Sequence, residues 1–237
     1  MILLGIDTAT DMTTLGLCKY GEPPWTVSLS SHKHQLELIG VIVEQLFENS
    51  GISSSQVGAL AVDVGPGLFS GLRIGISFAK AFAGGLGIPI VPVSSLDILA
   101  FSQRSCAKTI VSTVDARRGE VFYATYRKVP GGGVARLSEY SVGSPEALAL
   151  ELDTMSEPVL MVGEGSLRYK EILSGRSQVY FAGSAVAYPL LPMLFEIAFP
   201  MAFSEEFVLA ENVDVIYVRD ADARRNFDVR HALGESK

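Results

Sequence analysis

The hydrophobic pattern of the first hundred residues alternates between strands and helices. Five apolar or β-rich runs have the length of strands, and they cover residues 2–7, 13–20, 25–30, 59–64 and 88–93. Two longer segments, residues 34–49 and 70–84, carry apolar positions at helical spacing and predict helices. Because strands and helices alternate, we expect a mixed sheet covered by helices.

The same order of elements begins again near residue 109. A β-rich run ends at Asp115 as the first strand ends at Asp7, and Val-Gly-Glu-Gly at residues 162–165 corresponds to Val-Gly-Pro-Gly at residues 64–67. These correspondences predict an internal duplication. The expected division is a first lobe at residues 1–104, a second, degenerate lobe at residues 105–219, and a charged tail at residues 220–237.

The two predicted helices of the first lobe carry more apolar surface than one sheet contact requires. In the second helix only the stripe of Arg73, Ser77 and Lys80 is polar, and the first helix has two apolar stripes. Apolar residues on several faces indicate burial on two sides. The surplus predicts either a domain interior or an interface with another chain, and at this chain length we favour the interface.

Composition and charge exclude several classes of protein. Hydrophobic residues make up 48% and charged residues 19%, which excludes intrinsic disorder. The net charge of −7 argues against binding nucleic acid through overall charge, although seven Lys or Arg stand against two acids at residues 104–136. The two cysteines are far apart, and there is no basic leader or uninterrupted membrane-length apolar run. We expect a soluble protein of the cytoplasm.

A glycine-rich loop at residues 65–75 is the sharpest local motif. It reads Gly-Pro-Gly-Leu-Phe-Ser-Gly-Leu-Arg-Ile-Gly at a strand-to-helix junction. Such a loop can cradle a phosphate on its amide groups, but the Lys and Ser/Thr of a nucleotide P-loop are missing. The favoured interpretation is a tight turn followed by close helix packing.

Candidate metal ligands and catalytic groups are few. His32 and His34 lie two residues apart, a spacing that does not put both on one helix face as a metal site would need. Asp7 and Asp115 are expected to face one another across a cleft, where they would either hold a divalent cation or cap the turns that follow them. The sequence contains no pattern typical of a nucleophile with its base.

Four motifs resemble the TsaB (YeaZ) family of bacteria. The loop at residues 65–75 resembles the family signature G-P-G-S-F-T-G-[LV]-R-[IV]-G, with Leu68 and Ser70 replacing Ser and Thr. Residues 6–10 look like its opening I-D-T-A/S-T, residues 115–122 like its D-A-R-x-G-E-V-[FY], and residues 216–219 like its closing V-Y-L-R. Members of the family take part in making N6-threonylcarbamoyladenosine at position 37 of tRNA.

The resemblance implies an α/β fold of the duplicated actin-like class (sugar kinase, Hsp70, actin), with a mixed five-stranded sheet in each lobe. It also implies a non-catalytic scaffold that binds and activates the catalytic paralogue TsaD. The two histidines of the metal motif in TsaD correspond here to Ser95 and Leu99, and its glycine pair for nucleotide corresponds to Ala116-Arg117-Arg118. These replacements predict that catalytic residues, a metal and a tightly bound cofactor are absent, with ATP or ADP expected, where it binds at all, at the interface of the complex.

The resemblance further implies that TsaD binds the two helices of the first lobe. Ten residues of these helices are the predicted interface: Leu38, Val41, Ile42, Gln45, Phe69, Arg73, Ile74, Ser77, Phe78 and Ala81. The signature loop contributes Gly65, Pro66, Gly67, Gly71, Arg73 and Gly75. Without the partner, we expect the same surface to form a homodimer, since a self-complementary patch favours two-fold association.

Other partners and one competing function remain open from the sequence. A TsaE-like ATPase is the second expected partner, and tRNA is expected only through the complex. The basic segment at residues 104–136 would either help to present tRNA or be a solvated face. The alternative function is an ATP-dependent small-molecule kinase of the same fold, which would use Asp7 and Asp115 around a magnesium ion.

Overall fold

The computed structural model describes residues 1–30 and 35–218, with side chains from residue 37 onward in the second range. The first half contains β1 (Ile2–Asp7), β2 (Met12–Lys19), β3 (Trp25–Ser30), α1 (Gln35–Ser50), β4 (Ala59–Asp63), α2 (Phe69–Leu86), β5 (Ile90–Val93) and α3 (Ser95–Ser102). The second half contains β6 (Thr109–Arg117), β7 (Glu120–Val129), β8 (Gly133–Arg136), β9 (Ser141–Gly143), α4 (Pro145–Thr154), β10 (Val159–Val162), α5 (Glu164–Arg168), α6 (Lys170–Leu173), β11 (Val179–Phe181) and α7 (Leu191–Phe203). The five strands and two helices predicted in the first hundred residues lie within two residues of their expected bounds.

Two sheets with the same strand order confirm the predicted duplication. The first sheet has the order β3-β2-β1-β4-β5, and the second has the corresponding order β8-β7-β6-β10-β11. In the first sheet β1 runs antiparallel to β2 and parallel to β4. In the second, β6 runs antiparallel to β7 and parallel to β10. The architecture is the duplicated actin-like fold. The second sheet has six strands rather than the expected five, because the short strand β9 also pairs with β7.

The turns that follow β4 and β10 share a backbone conformation. Gly65 and Gly163 both have a positive φ, 95° and 104°, which disfavours any residue with a Cβ. A Cβ on Gly163 would also lie 2.0 Å from the carbonyl oxygen of Thr113. The two glycines therefore hold equivalent positions for the same steric reason.

The predicted boundary of the second lobe at residues 105–219 needs correction. Helix α7 packs on the first sheet, where Phe195 and Leu191 occupy the space left by Gly5 and Gly16. The segment that follows α7 also returns to the first sheet, since the amide of Ile216 donates to the Val64 carbonyl at 2.9 Å. Two elements near the C-terminus thus complete the first lobe.

Helix α3 lies between the two sheets and contributes to both cores. Ile98 packs in the cluster formed by α7 and the first sheet, whereas Leu96 and Leu99 pack with strands of the second. Asp97 accepts hydrogen bonds from the hydroxyls of Tyr126 at 2.7 Å and Tyr140 at 2.9 Å, both in the second lobe. Helix α3 therefore joins the two lobes.

No helix within residues 35–218 has the length and apolar character that crossing a bilayer requires. The predicted tail at residues 220–237 lies outside the described residues, as do His32, His34 and Arg219.

Candidate functional site

Two amide groups of the signature loop between β4 and α2 donate hydrogen bonds within the fold. The Gly65 amide donates to Oδ1 of Asp63 at 2.7 Å, and the Leu68 amide donates to the Ala9 carbonyl at 2.7 Å. The carbonyl of Gly65 accepts from the amide of Ser95 at 2.9 Å. Both amide contacts hold the loop in place against the ends of β1 and β4, which agrees with the tight-turn interpretation.

Two glycines of the loop and helix allow β1 and α2 to approach closely. A Cβ on Gly67 would lie 2.3 Å from the carbonyl oxygen of Ala9, and a Cβ on Gly75 would lie 2.3 Å from Oγ1 of Thr8. The Thr8 hydroxyl donates to the carbonyl of Gly71 at 2.8 Å. The signature therefore fixes the position of α2 against the end of β1.

Two buried carboxyl groups, Asp7 and Asp63, lie together at the ends of β1 and β4. Asp63 accepts hydrogen bonds from the Ser95 hydroxyl at 2.6 and 2.8 Å, and Asp7 accepts one from the Ala9 amide at 2.9 Å. Burial raises the pKa of Asp63 from its ordinary value of 3.8 to about 6. Burial, and then the charge of Asp63, raise the pKa of Asp7 well above 3.8.

The second oxygen of Asp7 indicates how this pair is charged. Oδ2 of Asp7 is buried, and no hydrogen-bond donor reaches it among the residues that the structure describes. Two adjacent carboxylates in a buried site cannot both ionise at low cost. One proton shared between Asp7 and Asp63 would satisfy this atom and remove the repulsion.

The equivalent position in the second lobe, Asp115, has a different environment. Its carboxylate contacts the guanidinium of Arg117 at 3.1 Å and that of Arg168 at 3.5 Å, and it accepts from the Tyr169 hydroxyl at 3.3 Å. Its backbone amide donates to Oε1 of Glu164 at 2.8 Å. Burial raises the pKa of Glu164 from 4.5 to about 7.

Both predicted site aspartates cap turns, as one of the two interpretations required. The Arg117 amide donates to Asp115 at 3.1 Å, which repeats the contact between the Ala9 amide and Asp7. Within the described ranges, no group of three or more His, Cys, Asp or Glu is arranged to hold a metal. Asp7 is paired with another acid and Asp115 with two guanidinium groups, so the two carboxyl groups have different electrostatic environments.

The exposed faces of α1 and α2 form the third feature, and here nine of the ten predicted interface residues reach the surface at least in part. Val41 is 51% exposed and Phe69 is 48% exposed. The other exposed or half-buried members are Leu38, Gln45, Arg73, Ile74, Ser77, Phe78 and Ala81. We call the six apolar residues Leu38, Val41, Phe69, Ile74, Phe78 and Ala81 the helical face.

Ile42 does not belong to this face, and its prediction as an interface residue is wrong in this structure. Its side chain is only 2% exposed and lies in the core of the first lobe with Ile39 and Leu46. The periodicity of α1 places Ile42 one turn from Leu38, but the side of α1 that carries Ile42 packs on the sheet. A charge at this position would disrupt the fold before it affected a surface.

Comparison with known proteins identifies the family. The family model described as TsaD, tRNA N6-adenosine threonylcarbamoyltransferase, matches residues 28–201. The chain belongs to this family, as a TsaB-type member. The TsaB of Escherichia coli strain K12, a tRNA threonylcarbamoyladenosine biosynthesis protein, is 28% identical over 222 residues, which cover 93% of this chain and 95% of that protein.

Two further relatives agree. TsaB of Bacillus subtilis strain 168 is 29% identical over 175 residues, 73% of this chain and 75% of that protein. The solved structure of YeaZ from Pseudomonas aeruginosa superimposes with a TM-score of 0.79 at 27% identity, covering 91% of this chain and 99% of that one. The predicted TsaB resemblance is confirmed.

Ser95 and Leu99 stand where the resemblance places the histidines of a TsaD metal motif. Ser95 is fully buried and donates to Asp63, and Leu99 is buried in the core of the second lobe. Neither side chain points into a solvent-accessible site. These two positions of the TsaB-type chain are structural.

Three residues of the site were not found from the sequence. Asp63 ends a strand and Glu164 begins a helix. Nothing in the residues around them indicates that they contact Asp7 and Asp115, which are distant in the chain. Tyr217 was noted only as part of a motif, but its ring packs near that of Phe69 at a centroid distance of 6.1 Å. Arg73 covers the same Phe69 ring at 4.2 Å.

Proposed function

We propose that this protein is a non-catalytic subunit of the machinery that makes N6-threonylcarbamoyladenosine at position 37 of tRNA. In this role it binds and activates a TsaD-type catalytic paralogue. The names of its relatives in Escherichia coli and Bacillus subtilis support the process. The helical face supports the mode of action.

The helical face is the observation that carries the proposal. Leu38 and Val41 lie one turn apart on α1, and Ile74, Phe78 and Ala81 follow one another at helical spacing on α2. Gln45 and Ser77 add neutral polar groups beside this apolar surface. Burying a fully exposed apolar side chain contributes about 1.5–3 kcal/mol, and covering the half-buried Phe78 would contribute a part of this. Two adjacent helices with such a face suit the docking of a partner's helices.

We propose that the chain has no catalytic activity of its own, because groups that could carry out chemistry make structural contacts. Two amides of the signature loop donate to Asp63 and Ala9, and the carboxylate of Asp115 is paired with Arg117 and Arg168. The positions that would correspond to metal ligands are buried. We therefore assign the catalytic step, and any metal it needs, to the partner.

The other expected partners follow from the same proposal. The isolated chain would cover its helical face by forming a homodimer, which the TsaD-type partner would displace. A TsaE-type ATPase, nucleotide and tRNA would join through the complex, in the cytoplasm. The basic segment at residues 104–136 would then contact tRNA only when the complex presents it.

Size-exclusion chromatography with light scattering tests the proposal directly. The chain is measured alone and after mixing with the TsaD-type protein of the same genome, and ATP hydrolysis is followed in the same fractions. We expect a one-to-one complex, and threonylcarbamoyl transfer to tRNA only when both proteins are present. The absence of a complex, together with ATP turnover by this chain alone, would favour the kinase alternative.

A further inference from the structure

The turns of two β-hairpins, one from each lobe, are joined by a single arginine. Nη2 of Arg117, the last residue of β6 before its turn into β7, lies 2.7 Å from Oδ1 of Asp11, in the turn between β1 and β2. Nη1 of the same guanidinium lies 3.1 Å from Oδ2 of Asp115. One side chain thus bridges a carboxylate of the first lobe and a carboxylate of the second.

The backbone of this turn is unusual for the residues it contains. Arg117 has a φ of 61° and Arg118 a φ of 55°, in the left-handed region that favours glycine. Non-glycine residues persist there only when surrounding contacts hold them. The contact of Arg117 with Asp11 is such a holding interaction, since it fixes the guanidinium at its far end.

The near end of the bridge is built into the second lobe. The carboxylate of Asp115 is buried and receives the Tyr169 hydroxyl, while the Asp115 amide donates to Glu164 at 2.8 Å. Arg168 lies on the same carboxylate at 3.5 Å. A movement of Asp115 would therefore disturb its contacts with α5. Arg117 contacts both Asp115 and Asp11, so it links Asp11 to this fixed group.

We propose that Arg117 is an interlobe latch. It holds the β1–β2 turn close to the β6–β7 turn and so fixes the angle between the lobes on this side. The guanidinium of Arg117 lies between the carboxylates of Asp11 and Asp115. Helix α3 makes a separate connection through Asp97, Tyr126 and Tyr140. The latch is independent of the proposed partner, since none of its residues belongs to the helical face.

Hydrogen exchange in the full chain, measured by mass spectrometry, tests the latch in both directions. Asp11→Asn removes the far partner and Arg117→Gly removes the bridge while suiting the left-handed backbone. Asp11→Asn should speed exchange at residues 115–122, and Arg117→Gly should speed exchange at residues 8–15, each by about two- to fivefold. Each effect is read in the lobe opposite to the substitution, where a purely local role would change nothing.

The double variant and a matched control complete the experiment. Asp11→Asn combined with Arg117→Gly should exchange no faster than the faster single variant, because each substitution alone already removes the Arg117–Asp11 contact. Arg127→Gln breaks an exposed ion pair with Glu157 inside the second lobe and should leave residues 8–15 unchanged. Effects confined to the substituted hairpin, or additive effects in the double variant, would overturn the latch.

Discussion

The hydroxyl of Ser95 donates to the carboxyl group of Asp63, lying 2.6 and 2.8 Å from its two oxygens. This contact ties the start of α3 to the end of β4, directly beside the buried Asp7. Helix α3 also packs on the second sheet, so the contact lies where the two lobes join. The charge state of the Asp7–Asp63 pair therefore bears on the stability of the whole fold.

We predict that the free energy of unfolding falls as the pH rises from about 4 to about 7. Asp63 titrates near 6 in the folded chain against 3.8 ordinarily, and Glu164 titrates near 7 against 4.5. Over this interval the unfolded chain releases protons that the folded chain retains, and each such group costs on the order of 1–3 kcal/mol of stability. Urea unfolding at a series of pH values measures the slope.

Asp63→Asn should reduce this dependence and leave the part that is due to Glu164. The amide oxygen can still accept from Gly65 and Ser95, and the amide nitrogen replaces the proton shared with Asp7. Asp153→Asn is the control, because the pair with Arg176 lowers the pKa of Asp153, in the direction away from this interval. A slope in Asp63→Asn equal to that of the unsubstituted chain would contradict the shared proton.

Two glycines of α2 should respond to alanine in opposite directions. Gly75→Ala would place a Cβ 2.3 Å from the Thr8 hydroxyl and break its bond to Gly71, so we expect a loss of about 1–3 kcal/mol. Gly84→Ala meets only the methyl group of Ala210 at 4.0 Å and should stabilise the helix by about 0.5–1 kcal/mol. Thermal unfolding of the two variants gives both signs. Equal effects would mean that the close approach of α2 to β1 is not limiting.

The duplicated fold could be predicted from the sequence because turn residues leave strong local signals. Asp7 and Asp115 end equivalent strands, and Gly65 and Gly163 are required by a positive φ at equivalent turns. Pro145 after Ser144 is a typical helix start, and the Ser144 side chain accepts from the Ala147 amide at the beginning of α4. Each of these signals depends on residues adjacent in the chain.

The parts that could not be predicted depend on contacts between distant residues. The return of α7 to the first sheet depends on Phe195 meeting Gly5, which are 190 positions apart in the numbering. The Asp7–Asp63 pair joins two strands whose register no local pattern specifies. Periodicity found the surplus apolar surface of α1, but only packing distinguishes the side of Ile42 from that of Val41.

Ile42 and Val41 should therefore differ sharply in stability experiments although they are neighbours. Ile42→Ala leaves a cavity in the core of the first lobe and should cost about 2–5 kcal/mol of unfolding free energy. Val41→Ala removes a largely exposed side chain and should change stability by less than about 0.5 kcal/mol. Chemical unfolding of both variants measures the difference. Similar losses would mean that α1 is rotated relative to this structure.

Val41→Glu tests the helical face without disturbing the core. A carboxylate at this position would have to be desolvated on docking, so we expect binding to the TsaD-type partner to weaken by tenfold or more, equivalent to about 1.4 kcal/mol or more. Titration calorimetry measures the affinity, and circular dichroism confirms that the variant is folded.

Leu150→Glu is the matched control for Val41→Glu, because Leu150 is also an exposed apolar residue, 69% accessible, but lies on α4 of the second lobe. Both variants add the same charge to a helix surface, so any general effect of charge on association is common to them. Leu150→Glu should bind the partner as the unsubstituted chain does. If both variants lose the same affinity for the partner, the interface is not on the helical face. If Val41→Glu binds with unchanged affinity, Val41 and its side of α1 do not belong to the interface.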